Sequence, residues 1–132
     1  MTDEEKTLIA YRMDRAREAI DEAKMLFDAG HLNSYVSRLY YACFYAVSAL
    51  LLTKDISTSK HSYLRSLMHQ EFVKKGLIPK ELGKHFDLLF DSRMEGDYSD
   101  FARFKADEVI GWLDKTQKFI SHVETVLREL TS

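Results

Sequence analysis

The sequence predicts an all-α fold, an up-and-down antiparallel bundle of four to five helices in a single domain, residues 1–132. The first observation is the scarcity of helix-interrupting residues, with only five glycines and one proline in the chain. The second is that apolar residues recur every three or four positions through long segments, as they do on one face of a helix. The third is that no segment alternates polar and apolar residues as a half-buried strand does.

The first helix is predicted between Thr2 and Gly30. The pattern Thr2-x-x-Glu5 is typical of a capping box, in which the two side chains satisfy free backbone N–H groups. The glycine at position 30 ends the segment. Between these signals the apolar positions are spaced as one helical stripe: Ile9, Met13, Ala16, Ile20, Ala23 and Phe27.

The second helix is predicted at about residues 32–54, and it is the most apolar part of the chain. Fourteen residues from Leu39 onward carry no charge, and apolar side chains fall on both sides of the helix. Such a helix must be covered on both sides, so we expect it to be central or to meet a second subunit as well. The run is shorter than a membrane span and has the length of a core helix. We expect Cys43 to pack there as a small apolar side chain.

Three further helices complete the predicted bundle. The third covers about residues 60–75 and ends at Lys74-Lys75-Gly76, before Pro79. The fourth covers about residues 79–95 and is ended by Gly96, after which a loop or short irregular helix follows. The last covers about residues 106–129, with one apolar stripe: Val109, Leu113, Thr116, Ile120, Val123, Leu127 and Leu130.

The composition limits the chemistry that this chain can perform. Its net charge of −2 gives no overall basic field that would attract nucleic acid or an anionic membrane. A single cysteine excludes an internal disulfide and a cysteine-pair zinc site. Glycine-rich phosphate loops and metalloprotease helix motifs are absent from the sequence, so neither a cofactor nor a metal is expected. The polar residues 1–11 do not resemble a signal peptide, which favours the cytoplasm and no membrane association.

A basic face is predicted on the third helix. The side chains of His61, Arg65 and His69 are four residues apart and share one side, with Lys60 close by. A solvated polar face is one interpretation. The other is a secondary phosphate-contacting strip, because arginine and lysine with neighbouring donors can position a nucleic-acid backbone.

Two arginines occupy positions where an apolar residue would complete the pattern. Arg38 lies on the face of Tyr41 and Tyr45, and Arg93 follows Leu82, Phe86 and Leu89 in the stripe of the fourth helix. A buried unpaired guanidinium costs several kcal/mol, so each must find a partner or extend its head into water. Strict alternation of helix direction would place the two arginines at opposite ends of one subunit, whereas a dimer contact through the second helix, or a different topology, would bring them closer. The available partners are Glu95, Asp97, tyrosine hydroxyls and an external phosphate.

Four ordered blocks of the sequence resemble the HEPN domains of prokaryotes, in their small stand-alone branch. They are "SRLYYACFYAVSALL", "SKHS", "EFVKKGLIPKELGK" and "DSRMEGDYSDF", which contain the patterns R-x-YYA-x-FYA and R-x-x-x-DY. The resemblance implies an all-α bundle, a homodimer and membership of a two-component module of toxin–antitoxin type, with a small nucleotidyltransferase as partner. Many such proteins are metal-independent ribonucleases, whose motif is an arginine followed after four to six residues by a histidine.

The ribonuclease motif is incomplete here, because no histidine follows Arg38 or Arg93 at that spacing. Tyr98 stands in the matching place after Arg93, and in related systems the partner attaches nucleotides to a tyrosine near the motif. One hypothesis is therefore a non-catalytic or weakly catalytic protein that binds a nucleotide, an RNA phosphate or its partner. The residues for that binding are Arg38, Tyr41, Tyr45, Arg93, Asp97 and Tyr98.

Two other hypotheses remain open. The chain could be a ribonuclease in which Tyr98 or His61 replaces the usual histidine, with Arg93 and Tyr98 as candidate catalytic residues. It could instead be a structural homodimeric interaction module, in which Arg93 and Asp97 form a local ion pair at the end of the fourth helix.

Overall fold

A computed structural model describes the backbone of residues 1–98 and 103–131, and the side chains of these residues except 95–98. The described residues form helices joined by short connections and contain no strand, which confirms the all-α bundle. A π-helical segment, His69–Val73, continues the third helix. The helices are α1 (Asp3–Asp28), α2 (Leu32–Leu52), α3 (His61–Met68), α4 (Lys80–Tyr98), α5 (Ala106–Val109) and α6 (Trp112–Thr131).

Helix α1 begins and ends at the residues that the sequence indicated. The Thr2 hydroxyl oxygen accepts from the Glu5 backbone N–H at 3.0 Å, as in a capping box. After the helix, Gly30 has a φ of +81°, a left-handed conformation that favours glycine. The chain then reverses, so that α1 packs antiparallel to α2, with Phe27 against Tyr35 and Arg12 against Ser48.

Helix α2 is the centre of the bundle. Most of its side chains are buried, among them Leu39, Tyr40, Cys43 and Val47. In the described part of the chain it is the one helix with the length and apolar content to cross a membrane, and 72% of its apolar window is buried within the bundle. The packing therefore identifies it as the core helix that was predicted.

The direction of the later helices differs from strict alternation. His61, at the start of α3, stacks on Phe44 in the middle of α2, whereas Phe72 in the π-helical segment lies near Lys54 beyond the end of α2. The connection of residues 53–60 thus returns along α2, and α3 runs parallel to α2. Helix α4 then runs antiparallel to α2, and Arg93 reaches Tyr41. Arg38 and Arg93 therefore lie close together, whereas strict alternation of helix direction would have placed them at opposite ends.

Two predicted helix boundaries are also wrong. Helix α4 continues through Gly96 to Tyr98, because one glycine costs a helix only about 1 kcal/mol relative to alanine. The last helix is interrupted at residues 110–111, between α5 and α6. There the buried hydroxyl of Tyr35 donates to the Val109 carbonyl at 2.7 Å. The tyrosine thereby satisfies a backbone carbonyl next to the interruption.

Candidate functional site

Two guanidinium groups contact the side chain of Tyr41. The Cζ atom of Arg38 is 4.8 Å from the ring centroid, and the Cζ atom of Arg93 is 5.1 Å from it. The Arg93 Nη2 also donates to the Tyr41 hydroxyl oxygen at 3.0 Å. The structure therefore brings three of the predicted site residues, Arg38, Tyr41 and Arg93, into direct contact. Together with His61, described below, we call them the Tyr41 cluster.

The local helix geometry explains how the two arginines meet. Arg38 and Tyr41 are three residues apart on α2, so their side chains share one face. Arg93 comes from α4, where the core stripe points at α2. A third helix contributes a counter-charge, since Glu22 of α1 lies 3.5 Å from Arg38 Nη1. That carboxylate is 46% exposed, and water weakens its hold on the arginine.

His61 joins the same cluster from the start of α3. Its Nδ1 lies 2.7 Å from the Tyr40 hydroxyl, and its ring stacks on Phe44 with centroids 4.4 Å apart. Burial, and secondarily the positive charge of Arg93, lower the pKa of His61 below its ordinary value. Burial raises the pKa of Tyr40. At neutral pH the pair is therefore an uncharged imidazole hydrogen-bonded to an intact phenol.

The other members of the predicted basic face separate in the structure. Arg65 lies over the ring of Phe90 at 4.0 Å, and 3.4 Å from Asp91. The Nε2 of His69 is 3.0 Å from the carboxylate of Asp87. Lys60 precedes α3 and is exposed. Only His61 of this face reaches the Tyr41 cluster, because α4 covers the side that Arg65 and His69 present.

Tyr45 has a different partner from the one that sequence reasoning considered. Its hydroxyl accepts from Arg15 Nη2 of α1 at 3.2 Å, and its ring centroid is 6.1 Å from that of Tyr41. Arg15 and the neighbouring Arg12 were missed because α1 was interpreted only through its apolar stripe. The available signal was the spacing Arg12-x-x-Arg15, which puts two cations on one side of the helix.

Two predicted site residues fall outside what the structure describes at the side-chain level. Asp97 and Tyr98 form the end of α4, four and five residues after Arg93, and only their backbone is described. Their predicted roles stay predictions. Groups of metal-binding side chains are not found within the described residues. Cys43 is fully buried, and burial raises the pKa of its thiol, so it packs as a core residue.

The Tyr41 cluster has the chemistry of an anion-binding site. Arg38 and Arg93 present planar forks of N–H donors, which match the oxygens of a phosphate. The Tyr41 ring that both contact restrains the two guanidinium groups, so less rotamer entropy is lost when a ligand binds. All of these side chains except Tyr40 are partly exposed, which leaves the guanidinium groups within reach of solvent.

Fold and site together define a small all-α bundle with a cationic aromatic cluster on its central helix. The HEPN domain model matches residues 9–126, and the chain belongs to this family. A UPF0332 protein of Thermotoga maritima is 42% identical over 127 residues, 96% of each chain. A Methanocaldococcus jannaschii protein whose name describes it as a candidate toxin is 30% identical over 115 residues, 87% of this chain and 78% of the relative. A UPF0332 protein of Gloeobacter violaceus is 36% identical over 98 residues, 74% of this chain and 75% of the relative.

Proposed function

We propose that this protein binds the phosphate of a nucleotide or of RNA at the Tyr41 cluster, as one component of a toxin–antitoxin type module. The observation that carries the proposal is that Arg38 and Arg93, from two helices, converge on one half-buried tyrosine ring. Folding alone would be served as well by an apolar side chain at position 93, since the position belongs to a core stripe.

The weak pairing of Arg38 supports an anionic ligand. Its carboxylate partner, Glu22, is partly exposed, and water weakens that contact. A phosphate would therefore meet guanidinium donors that the Tyr41 ring already holds in place.

Calorimetric titration with AMP, ATP and a short single-stranded RNA tests this proposal. We expect Arg93→Gln to weaken AMP binding by at least about tenfold, since a charge-assisted hydrogen bond contributes roughly 1.5–3 kcal/mol. Arg17→Gln is the matched control, because Arg17 pairs with Asp14 and Glu124 away from the cluster. Equal affinities of wild type, Arg93→Gln and Arg17→Gln would contradict the site.

The partner of such a module is the second part of the proposal. The family resemblance favours a small nucleotidyltransferase as partner and a homodimer as the working form, and the name of the Methanocaldococcus jannaschii relative agrees with a toxin-type component. A nucleotidyltransferase encoded beside this gene that co-purifies with the protein would support the pairing. Light scattering of the purified protein measures its mass, and a monomer would contradict the homodimer.

A second candidate function is metal-independent RNA cleavage, which the position of His61 favours. An uncharged imidazole next to Arg93 has the properties of a proton acceptor beside a phosphate-binding guanidinium. In such a reaction the RNA 2′-hydroxyl would give its proton to His61 and its oxygen would attack phosphorus. A 2′,3′-cyclic phosphate would form as the bond to the 5′-oxygen breaks, and that oxygen would take a proton from water. Cleavage in EDTA that is lost in His61→Ala, but retained in His31→Ala, would establish it. Intact RNA with wild-type protein would exclude it.

A further inference from the structure

We propose a second phosphate-binding site in this protein, in a groove between α1 and the connection from α2 to α3. Arg12 and Arg15 would hold the phosphate, and the proposal rests on the proposed function, because a ligand with several phosphates would span this groove and the Tyr41 cluster. The groove is lined by Tyr11, Arg12, Arg15, Phe44, Tyr45, Ser48, Ser57, Thr58 and Ser59.

The size of the groove suits a ligand larger than an isolated ion. Its volume is about 610 Å³, within the range of roughly 300–1,000 Å³ that is typical of small-molecule sites. The side chains of Phe44 and Tyr45 come from α2, and Ser57, Thr58 and Ser59 come from the connection that returns along it.

The lining of the groove selects for negative charge. Its two charged lining residues are Arg12 and Arg15, and no carboxylate is among the described residues that line it. The hydroxyls of Ser57, Thr58 and Ser59 add further donors for phosphate oxygens. Glu18 pairs with Arg15 at 3.2 Å but does not line the groove.

Both arginines are held in place by groups of the protein. Arg12 Nη1 donates to the Ser48 carbonyl at 3.0 Å, and its Nη2 lies 3.5 Å from the Ser57 hydroxyl. Arg15 donates to Tyr45 and lies 5.2 Å from that ring. Anchoring α1 to α2 accounts for the first contact of Arg12. Anchoring does not explain why two arginines line one groove whose described lining contains no carboxylate.

The groove is continuous with the Tyr41 cluster through shared side chains. Phe44 lines the groove on one side and stacks on His61 on the other. Tyr45 lines the groove, and its ring neighbours that of Tyr41. Tyr11 at the outer edge is 59% exposed and offers a face for a base to stack on. The surface thus provides two phosphate positions with aromatic rings around them, as single-stranded nucleic acid requires.

Fluorescence anisotropy with a labelled single-stranded RNA, measured at several salt concentrations, tests the second site. We expect Arg15→Gln and Arg12→Gln each to weaken binding about three- to tenfold and to reduce the salt slope by about 0.7, the value for one lost phosphate contact on a single strand. Tyr11→Ala should weaken binding at least about fivefold through lost stacking. Arg17→Gln, on the side of the same helix that faces α6, should bind like wild type.

Titration with AMP and ATP separates this proposal from the proposed function. AMP carries one phosphate, so its affinity should fall in Arg93→Gln and stay unchanged in Arg15→Gln. If Arg15→Gln weakens the affinity for ATP as well as for RNA, the second site accepts a nucleotide polyphosphate. If it weakens only the affinity for RNA, the second site binds a nucleic-acid strand. Wild-type protein that does not bind AMP, but whose RNA binding is weakened by Arg15→Gln, would contradict the phosphate site at the Tyr41 cluster and support the one in the groove.

The proposal is overturned if Arg15→Gln and Arg17→Gln bind RNA equally well, or if wild type binds no RNA. It is also overturned if Arg15→Gln changes the oligomeric mass instead of RNA affinity, because the groove would then be a subunit contact. Because Arg12 contacts the α2 backbone, Arg12→Gln could unfold the chain. Arg15→Gln and Tyr11→Ala change partly or largely exposed side chains and decide the test alone.

Discussion

Arg93 keeps its charge at a position that packing alone would give to an apolar side chain. Its guanidinium is placed against the rings of Tyr40 and Tyr41, with centroid distances of 5.4 and 5.1 Å. Cation–π contacts and the hydrogen bond to the Tyr41 hydroxyl offset part of the cost of removing the charge from water. If Arg93 binds phosphate as proposed, its charge serves binding more than stability.

Replacement of Arg93 by methionine separates these two roles. We expect Arg93→Met to leave the free energy of unfolding within about 1 kcal/mol of wild type, or to raise it, because apolar replacement of a half-buried charge is often neutral or stabilising. Phosphate binding should be lost in the same variant. Urea unfolding measures the first effect, and a loss above about 2 kcal/mol would show that Arg93 mainly supports the fold.

A second single residue predicts how stability depends on pH. His85 is buried, and its Nε2 lies 2.8 Å from the Thr116 hydroxyl. That hydroxyl donates to the Trp112 carbonyl, so the imidazole must donate through Nε2. Its Nδ1 is buried without a hydrogen-bond partner within the described residues. Burial, and then the charge of Lys115, lower the pKa of His85 from 6.5 to about 4.

The direction of this pH dependence follows from whether the folded or the unfolded state protonates His85 at the higher pH. Below pH 6.5 the unfolded chain protonates His85 while the folded chain does not, so the free energy of unfolding falls as the pH drops towards about 4. The contribution is roughly 3 kcal/mol over this window. His85→Gln should flatten the profile measured by urea unfolding, whereas exposed His31→Gln should keep the wild-type slope. An unchanged slope in His85→Gln would refute the assignment.

At the scale of elements, the π-helical segment and α4 approach each other closely at Gly83. A Cβ atom at this glycine would lie 3.0 Å from Val73 Cγ2 and 3.3 Å from His69 Cε1. The π turn contains one residue more than an α-helical turn. It is closed by a hydrogen bond from the Lys74 backbone N–H to the His69 carbonyl at 2.8 Å. His69 is also paired with Asp87 of α4, so this contact fixes the two elements together.

Gly83→Ala should destabilise the protein by about 1 kcal/mol, although alanine is the better helix former, because the stiff Val73 side chain must move. The loss should shrink when Val73→Ala is combined with it, which a double-mutant cycle by urea unfolding measures. Gly111→Ala is the control, since no atom lies within 4 Å of its Cβ position. Additive effects of Gly83→Ala and Val73→Ala would disprove the close contact.

For the whole molecule, helical periodicity predicted where the helices lie in the sequence better than it predicted the directions in which they run relative to one another. The stripes of α1, α2 and α6 and the cap at Thr2 follow from local sequence alone. The parallel course of α2 and α3 does not, because it depends on residues 53–60 returning along α2. The interruption between α5 and α6 depends on Tyr35, which lies 74 residues before Val109.

The candidate site was also predictable only in part, because some of its features follow from local sequence and others from contacts between distant residues. An arginine that continues a core stripe is visible in the sequence. This pattern indicated that Arg93 points inward, and the structure shows it half-buried. Which side chain it meets is a matter of topology, so the sequence offered tyrosine hydroxyls as one of several partners and left open whether Arg38 lies near Arg93. Arg12 and Arg15 lie on a polar side of α1, where arginines are common, so their spacing of three residues was a weak signal that is easily overlooked.

The most direct measurement of the central claim is an NMR titration with AMP that follows the arginine side chains of this 15.4 kDa protein. If Arg38 and Arg93 bind phosphate together, their guanidinium signals will shift and saturate with one common affinity, while those of Arg17 and Arg128 stay in place. Signals of Arg38 and Arg93 that do not move, or that move only as much as those of the other arginines, would contradict the claim.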